Sequence, residues 1–277
     1  MVSPISKRQY REEWVVAFQR GETYLKYGVT KEQQLAGNQA IFAIQAAAPE
    51  MVSRGVNGLI PSRNRVDSQV TINMKERHTK ETRTSFNIFT AQSDIREAMQ
   101  NAGALTAARE IDNEIITALE TATNVFNGGT AITTTRGRMA EIKARLLQND
   151  VYANDMITFV HTPTSWERLL TLEQFSSADY MDVKPLMGDA EAPKKWNGAV
   201  HMVHTGLPGQ GTATASCFAF GKAAVGHAIN TGDIRTAVGY DEEDDYSYAR
   251  HTIFHGATIL QQTGVIEFIH DDTAAIT

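Results

Sequence analysis

Cysteine is almost missing from this chain. Cys217 is the single one in 277 residues, which excludes an internal disulfide framework and any zinc site built from several thiolates. Long apolar runs are missing as well. Nowhere do about 18 apolar residues follow one another, so no segment spans a bilayer as a helix and no membrane partner is expected. The opening MVSPISKRQYREEWVV places charges where a signal peptide needs an apolar core, so export is not expected. Catalytic motifs are absent too. There is no GxSxG elbow, and Cys217 lies in an apolar stretch without a neighbouring base to activate it.

Nucleotide and metal signals fail on spacing. In GLPGQG, residues 206–211, the glycines are wrongly spaced and the segment precedes a strand, whereas a phosphate cradle opens a helix. Gly221-Lys222 lacks the upstream glycine and the Ser/Thr of a phosphate-binding loop. His251 and His255 stand four apart, but Thr252 occupies the place of the metalloprotease glutamate and the context is strand-like. His201 and His204 fail similarly. The run Asp241, Glu242, Glu243, Asp244, Asp245 lacks the alternating ligands and glycine of a calcium loop. It reads as a solvated acidic loop, or one facing a basic partner. No catalytic residue, cofactor or metal ligand is assigned.

What is present is an ordinary core, 42% hydrophobic and 21% charged, and an uneven charge distribution. The formal net charge is −6, yet residues 1–90 hold 13 basic and 8 acidic residues while residues 91–277 hold 13 and 24. A chain with a basic first third and an acidic remainder is able to pair those parts between copies of itself.

Residues 7–27 have the period of an amphipathic helix, with Tyr10, Trp14, Phe18 and Leu25 near one face and Gly28 as its stop. Residues 33–50 read as a short helix or an extended arm. In 63–90, Val66, Ser68, Val70, Ile72 and Met74 alternate with polar residues, and Thr84, Phe86 and Ile88 repeat the pattern. They predict a long hairpin whose tip, KERHTKE at 75–81, holds no Gly, Pro or Asn-Gly and so is no tight turn. A lone two-stranded hairpin is marginal in water, so its tip should rest on a partner.

Residues 93–123 predict one long helix, with Ser93 as N-cap, Asp94 in the first turn, and an apolar face from Ile95 through Met99, Ile111, Ile115 and Leu119 to Ala122. About 29 residues make a rod of roughly 43 Å, the length of a scaffold element. Thr133–Thr135 caps a second helix with Met139, Ile142, Leu146 and Leu147 on its buried side. Strands are expected at 156–163 and 198–204, a helix between them at 164–175, and an exposed, mobile loop at 205–215. CFAFGKAAVGHAI reads as a strand entering a short helix. The tail carries strands around 235–240, 246–254, 257–261 and 265–270. The fold class is α+β, not a βαβ series, and no internal repeat is evident.

This order of elements resembles the major capsid protein of tailed bacteriophages, the Hong Kong 97-like fold. REIDNEIITALETA (109–122) is similar to the second half of a phage spine helix. FAFGKAAVGHAI (218–229) resembles the strand and small helix of the apical domain, and ARHTIFHGATILQQTGVIEFI (249–269) the closing strands. The resemblance implies an N-terminal arm at 1–50, an extended E-loop hairpin at 51–92, and the spine helix of the peripheral domain at 93–128. An apical domain at 129–235 and closing strands at 236–277 would follow. It implies a structural protein, not an enzyme, that assembles into pentamers and hexamers of an icosahedral head enclosing double-stranded DNA without sequence specificity. A separate scaffolding protein, a portal and a decoration protein would be partners; the virion capsid, and the host cytoplasm during assembly, would be its location. The net negative charge suits a container for DNA, since a strongly basic wall would hold the genome by counterion release. Some members crosslink through an E-loop lysine. Lys75 and Lys80 sit in the right region, but lysine is common in exposed tips and no crosslink is assigned. Lys75, Arg77, Lys80 and Arg83 are expected to meet acidic residues of neighbouring subunits, with Asp241–Asp245 one target. The alternatives are an encapsulin-like shell or, from another class, a cytosolic α+β enzyme or ligand-binding protein with residues 206–215 as a lid.

Overall fold

A computed structural model describes residues 20, 24–34, 37–54, 56, 58, 60, 62–90, 95–152, 156–176 and 191–276. Among these residues eleven strands and five α-helices follow in chain order. They are β1 (Thr30–Gln34), β2 (Gln39–Ile44), β3 (Ser68–Asn73), β4 (Lys75–Thr84), α1 (Ser85–Thr90), α2 (Ile95–Leu119), α3 (Arg136–Gln148), β5 (Ile157–His161), α4 (Pro163–Thr171) and α5 (Glu173–Ser176). Then come β6 (Lys194–Trp196), β7 (Ala199–Val203), β8 (Ala215–Gly221), β9 (Val225–Asp241), β10 (Tyr246–Ile259) and β11 (Val265–His270).

The predicted rod is there. α2 runs 25 residues, about 38 Å, and buries Met99, Ala107, Ile111, Ile115, Ile116, Ala118 and Leu119. It lies along a four-stranded sheet of order β1-β9-β10-β4 and packs chiefly on β10. The approach is close. A Cβ added to Gly103 would come within 2.1 Å of His251 Cδ2, so only glycine lets the helix sit this near the strand. The register of β9 and β10 shifts between Ile253 and His255. There the Phe254 N–H donates to Asn230 Oδ1 at 3.1 Å, which supplies the ladder bond that the bulge removes.

The second unit is a five-stranded sheet of order β11-β8-β5-β7-β6. Its centre, β5, is buried at every residue, as suits a strand covered on both faces. α3 packs on β8 and β11, and α4 on β5 and β7. Thr135 caps α3 by accepting from the Arg138 N–H, and Thr162 caps α4 by accepting from the Ser165 N–H ahead of Pro163. One continuous core joins the two sheets, from Leu25 through Ile115 and Leu119 to Phe159, Phe218 and Phe268.

Several expectations need correction. The strands of 63–90 do not pair with each other. β3 pairs antiparallel with β2, and KERHTKE is no tip but the body of β4, antiparallel to β10 from Tyr246 to His255. Period-two alternation marks a strand without naming its partner. Residues 85–90 are helical, not extended; Thr84 Oγ1 accepts the Asn87 N–H at the start of that turn. Residues 30–34 and 39–44 are strands, which decides for the extended reading of the arm over the short helix. Leu147 is 37% exposed, not buried. The expected helix after Gly221 is only the single 3-10 turn Lys222–Ala224, and the chain re-enters a strand at Val225. Gly256 does not separate two strands; β10 runs through it. The last strand, β11, joins the five-stranded sheet beside β8 and does not return to the sheet along α2. Of the predicted helix at 7–27, residues 7–19 and 21–23 lie outside the described residues, as do Ser93 and Asp94; Tyr24–Tyr27 is one 3-10 turn.

Candidate functional site

No helix among the described residues is long and apolar enough to cross a membrane, and no group of three or more His, Cys, Asp or Glu among them is placed to hold a metal ion. Two surfaces of the chain project. The first is the ribbon β2–β3 with the connection between Ile44 and Ser68. Its base is anchored by a small cluster of Ala40, Phe42 and Ile72 against Ala228. Further out, Met51, Val56, Ile60 and Val66 are 72–107% exposed, an unusual density of bare apolar side chains.

The second is the tip formed by the β9–β10 turn, the end of β4 and the start of α1. Asp241–Asp245 is that turn. Asp241 accepts from the Glu243 N–H at 3.1 Å, and bonding from Tyr246 together with these turn amides holds its carboxyl below the usual range. Asp245 accepts from Ser85 Oγ at 2.6 Å and from the Tyr240 hydroxyl, which lowers its pKa likewise. Two of the five carboxylates therefore brace the turn, while Glu242, Glu243 and Asp244 face solvent. Phe86, Val238 and Tyr240 are exposed beside them.

The four basic residues singled out from the sequence all lie on β4, and each finds a partner within its own chain. Lys75 Nζ stands 2.6 Å from Glu114 Oε1, whose side chain is 6% exposed. Arg77 Nε is 3.1 Å from Glu110 Oε1 and its Nη2 4.0 Å from Glu114. Lys80 Nζ donates to the Tyr246 hydroxyl at 3.0 Å and lies over the rings of Tyr246 and Tyr248, and that hydrogen bond raises its pKa. Arg83 pairs with Glu81 along the same strand. Helix spacing could have found the first pairs, since Glu110 and Glu114 are four apart on α2 and present one face to β4.

Residues 205–215 were expected to be mobile, yet this loop is tied down. The Gly211 N–H donates to Asp272 Oδ2 and the Asp272 N–H donates to the Thr212 carbonyl, both at 3.0 Å. Asp272 Oδ1 also accepts from Thr162 Oγ1 and from His270 Nδ1 at 2.7 Å, with both side chains of that His–Asp pair fully buried. Leu207 is 4% exposed. Arg168 adds two bonds from Nη2 to the carbonyls of Ala274 and Ala275. Cys217 is fully buried, and burial pushes its thiol up to about 12, which leaves it without nucleophilic character at neutral pH.

Sequence reasoning missed a polar thread through the core of the five-stranded unit. Thr134 and Ser165 hydroxyls are 2.7 Å apart, Ser165 Oγ is 3.0 Å from His161 Nδ1, and His161 Nε2 is 3.0 Å from His201 Nδ1. His201 is also bonded to the Trp196 backbone. A carbonyl accepts there, so the His201 proton sits on Nε2 and Nδ1 is the acceptor. The thread then runs one way, Thr134 to Ser165 to His161 to His201 to the Trp196 carbonyl. Burial drives the His161 pKa well down and brings His201 to about 3.

A long helix braced along a sheet, a second α/β unit sharing its core and a projecting ribbon together define the Hong Kong 97-like capsid architecture. Solved structures agree with that assignment over nearly the whole chain. A chain from Mycobacterium phage Che8 matches at a TM-score of 0.75 and 16% identity, covering 97% of each chain. The capsid of cyanophage Pam1 matches at 0.75 and 11%, covering 99% of each. The capsid of a native GTA particle matches at 0.72 and 11%, covering 96% of each. The sequence has no significant match among curated proteins. A family model described as phage capsid protein matches residues 2–272, and the chain belongs to the phage capsid protein family.

Proposed function

We propose that this chain is the major shell subunit of a phage head, assembling as rings of five and six into a closed icosahedral container for double-stranded DNA. The observation that carries the reading is the β2–β3 ribbon. Its outer part presents Met51, Val56, Ile60 and Val66 bare to solvent on a two-stranded element that is marginal by itself, which is the signature of a segment completed by another copy. In this reading the E-loop is 39–73 rather than 51–92. The peripheral domain comprises β1, β4, α2, β9 and β10, and the apical domain comprises α3 to β8 together with β11. The subunit is structural and carries out no chemistry of its own. A scaffolding protein, a portal and a decoration protein would be its partners, the DNA would be held without sequence readout, and the host cytoplasm would be the place of assembly.

Contact between copies would engage the tip. Lys75 and Arg77 are already paired on α2, so a neighbour would meet Lys80 and the half-exposed Arg83–Glu81 pair on one side and Glu242, Glu243 and Asp244 on the other. Reversing Lys80 and Arg83 together should weaken assembly or steepen its salt dependence, and assembly unchanged across a salt series refutes that contact.

Negative-stain electron microscopy of the purified chain tests the main reading. Closed shells, tubes or rings support it. A small monomer that stays monomeric at high concentration overturns it. Copurifying cargo enzyme inside the shells would favour an encapsulin-like compartment.

A further inference from the structure

Four buried polar atoms without a hydrogen-bond partner among the described residues gather at one place. They are Arg20 Nε, Arg109 Nε, Asp112 Oδ2 and His204 Nε2. Beside them a cleft of about 490 Å³ opens between α2 and the turn after β7, lined by Arg20, Thr106, Arg109, Glu110, Asn113 and Thr205. The parts are held in place. Arg20 Nη2 donates to Asn113 Oδ1 at 2.7 Å, and Arg109 Nη2 donates to Thr106 Oγ1 at 3.0 Å. His204 accepts the Gly206 N–H on Nδ1 at 3.0 Å, so its proton lies on Nε2, 3.5 Å from Asp112 Oδ2. Gly206 is required for this arrangement. A Cβ there would meet Arg20 Nη1 at 1.7 Å, which would expel the guanidinium from the cleft.

The charges do not cancel. Glu110 is engaged by Arg77 at 3.1 Å, and Asp112 offsets one of the two arginines facing the cleft. Among the described residues one positive charge is left over, in a cleft that both guanidinium groups line. Around them stand the Thr205 hydroxyl and the Asn113 amide, both able to donate, while the Thr106 hydroxyl donates to the Ala102 carbonyl. We propose that this cleft is an oxoanion site that takes one carboxylate or phosphate group between Arg20 and Arg109. The planar fork of arginine matches such a group in two parallel hydrogen bonds, which a lysine in the same place does not supply. The group comes either from a free ion or from an acidic side chain of a second copy, and both present the same chemistry to the cleft. The proposal goes beyond the shell reading and its first test does not depend on it.

Thermal melting of the purified, unassembled chain is followed in inorganic phosphate and in chloride at matched ionic strength. A saturable rise specific to phosphate is expected, of roughly 5–10 °C once phosphate reaches about a hundred times its dissociation constant. Arg109→Gln should abolish the rise, and Arg109→Lys should leave a weaker one. The absence of a phosphate-specific rise in the unaltered chain overturns the proposal whether or not the variants fold. An equal rise in Arg109→Gln overturns it as well. Repeating the titration on assembled particles separates the sources: a rise that persists identifies a free ion, and one that vanishes identifies a carboxylate already supplied by the neighbouring copy.

Discussion

The thread from Thr134 to the Trp196 carbonyl makes the subunit acid-sensitive in a way that can be worked out in advance. In this thread a further proton on His201 Nδ1 leaves two donors face to face at 3.0 Å, and one on His161 Nδ1 meets the Ser165 hydroxyl that donates to it, also at 3.0 Å. Both imidazoles are therefore neutral in the fold, with pKa values depressed by burial, while in the unfolded chain each titrates near 6.5. The sign follows from linkage. Above about pH 6.5 neither state binds these protons and the stability is fully present. As the pH falls the unfolded chain takes them up and the folded chain does not, so stability is lost until His201 itself titrates near 3. The loss is about 1.4 kcal/mol per pH unit for each histidine, or about 4 kcal/mol for the two at pH 5. That is a large part of the roughly 5–15 kcal/mol that holds a domain together. Urea unfolding of the unassembled chain between pH 7.5 and 5 measures it, above the range where most carboxylates protonate. Trp166 and Trp196 report the event, since their rings lie 6.4 and 5.5 Å from those of His161 and His201. His201→Gln removes one titrating group. It should cost stability at pH 7.5, yet lose it more slowly towards pH 5, by about 1.4 kcal/mol per unit. Parallel curves for the two proteins would refute the assignment of a neutral, proton-excluding thread.

Three further outcomes follow from single contacts. Gly103→Ala places a methyl group 2.1 Å from His251 Cδ2 and should destabilise by about 1–3 kcal/mol, read as a fall in Tm with unchanged helix content by circular dichroism. Lys75→Met leaves the buried Glu114 carboxylate with only Arg77 at 4.0 Å; it should cost about 1–3 kcal/mol in denaturant unfolding, and Lys75→Met combined with Glu114→Gln should recover part of it. Asp272→Ala removes the acceptor of three hydrogen bonds and should expose the 205–215 loop to limited proteolysis at a point where the unaltered chain resists. Resistance equal to that of the unaltered chain would mean that Leu207 and the backbone hold the loop without the carboxylate.

The long helix was legible because α2 buries one stripe at a regular period over 25 residues, and periodicity of that length has few competing readings. β5 was legible from a short, mostly apolar stretch with Ile157, Phe159 and Val160, closed by Pro163. Strand partners were not. β3 and β4 are separated only by Met74, yet they belong to different sheets, because β3 is drawn to Phe42 and Ala40 while β4 is drawn to β10 and to the carboxylates of α2. Nothing local encodes a partner 160 residues away. The mobile-loop reading of 205–215 failed on the same account. Glycine content describes what the backbone is free to do, and Asp272, some sixty residues later, decides what it does.

The candidate surfaces divide along the same line. Charge along the sequence pointed to β4 and to Asp241–Asp245, and the structure brings both to one sheet edge, but it satisfies much of that charge internally. Lys75, Arg77 and Lys80 bind groups on α2 and β10, and Asp241 and Asp245 close their own turn. Two of the thirteen basic residues of the first third, Lys75 and Arg77 on β4, thus pair with acidic residues of α2 within the chain. What the fold leaves without a partner is different in kind. It is apolar on the ribbon at Met51, Val56, Ile60 and Val66, and apolar with a few carboxylates at the tip. Association through such surfaces draws its free energy mainly from burying apolar area, with charge setting orientation and rate. High salt should accordingly slow the joining of subunits while leaving formed particles intact, and particles that fall apart in high salt would place the binding energy back in the ion pairs.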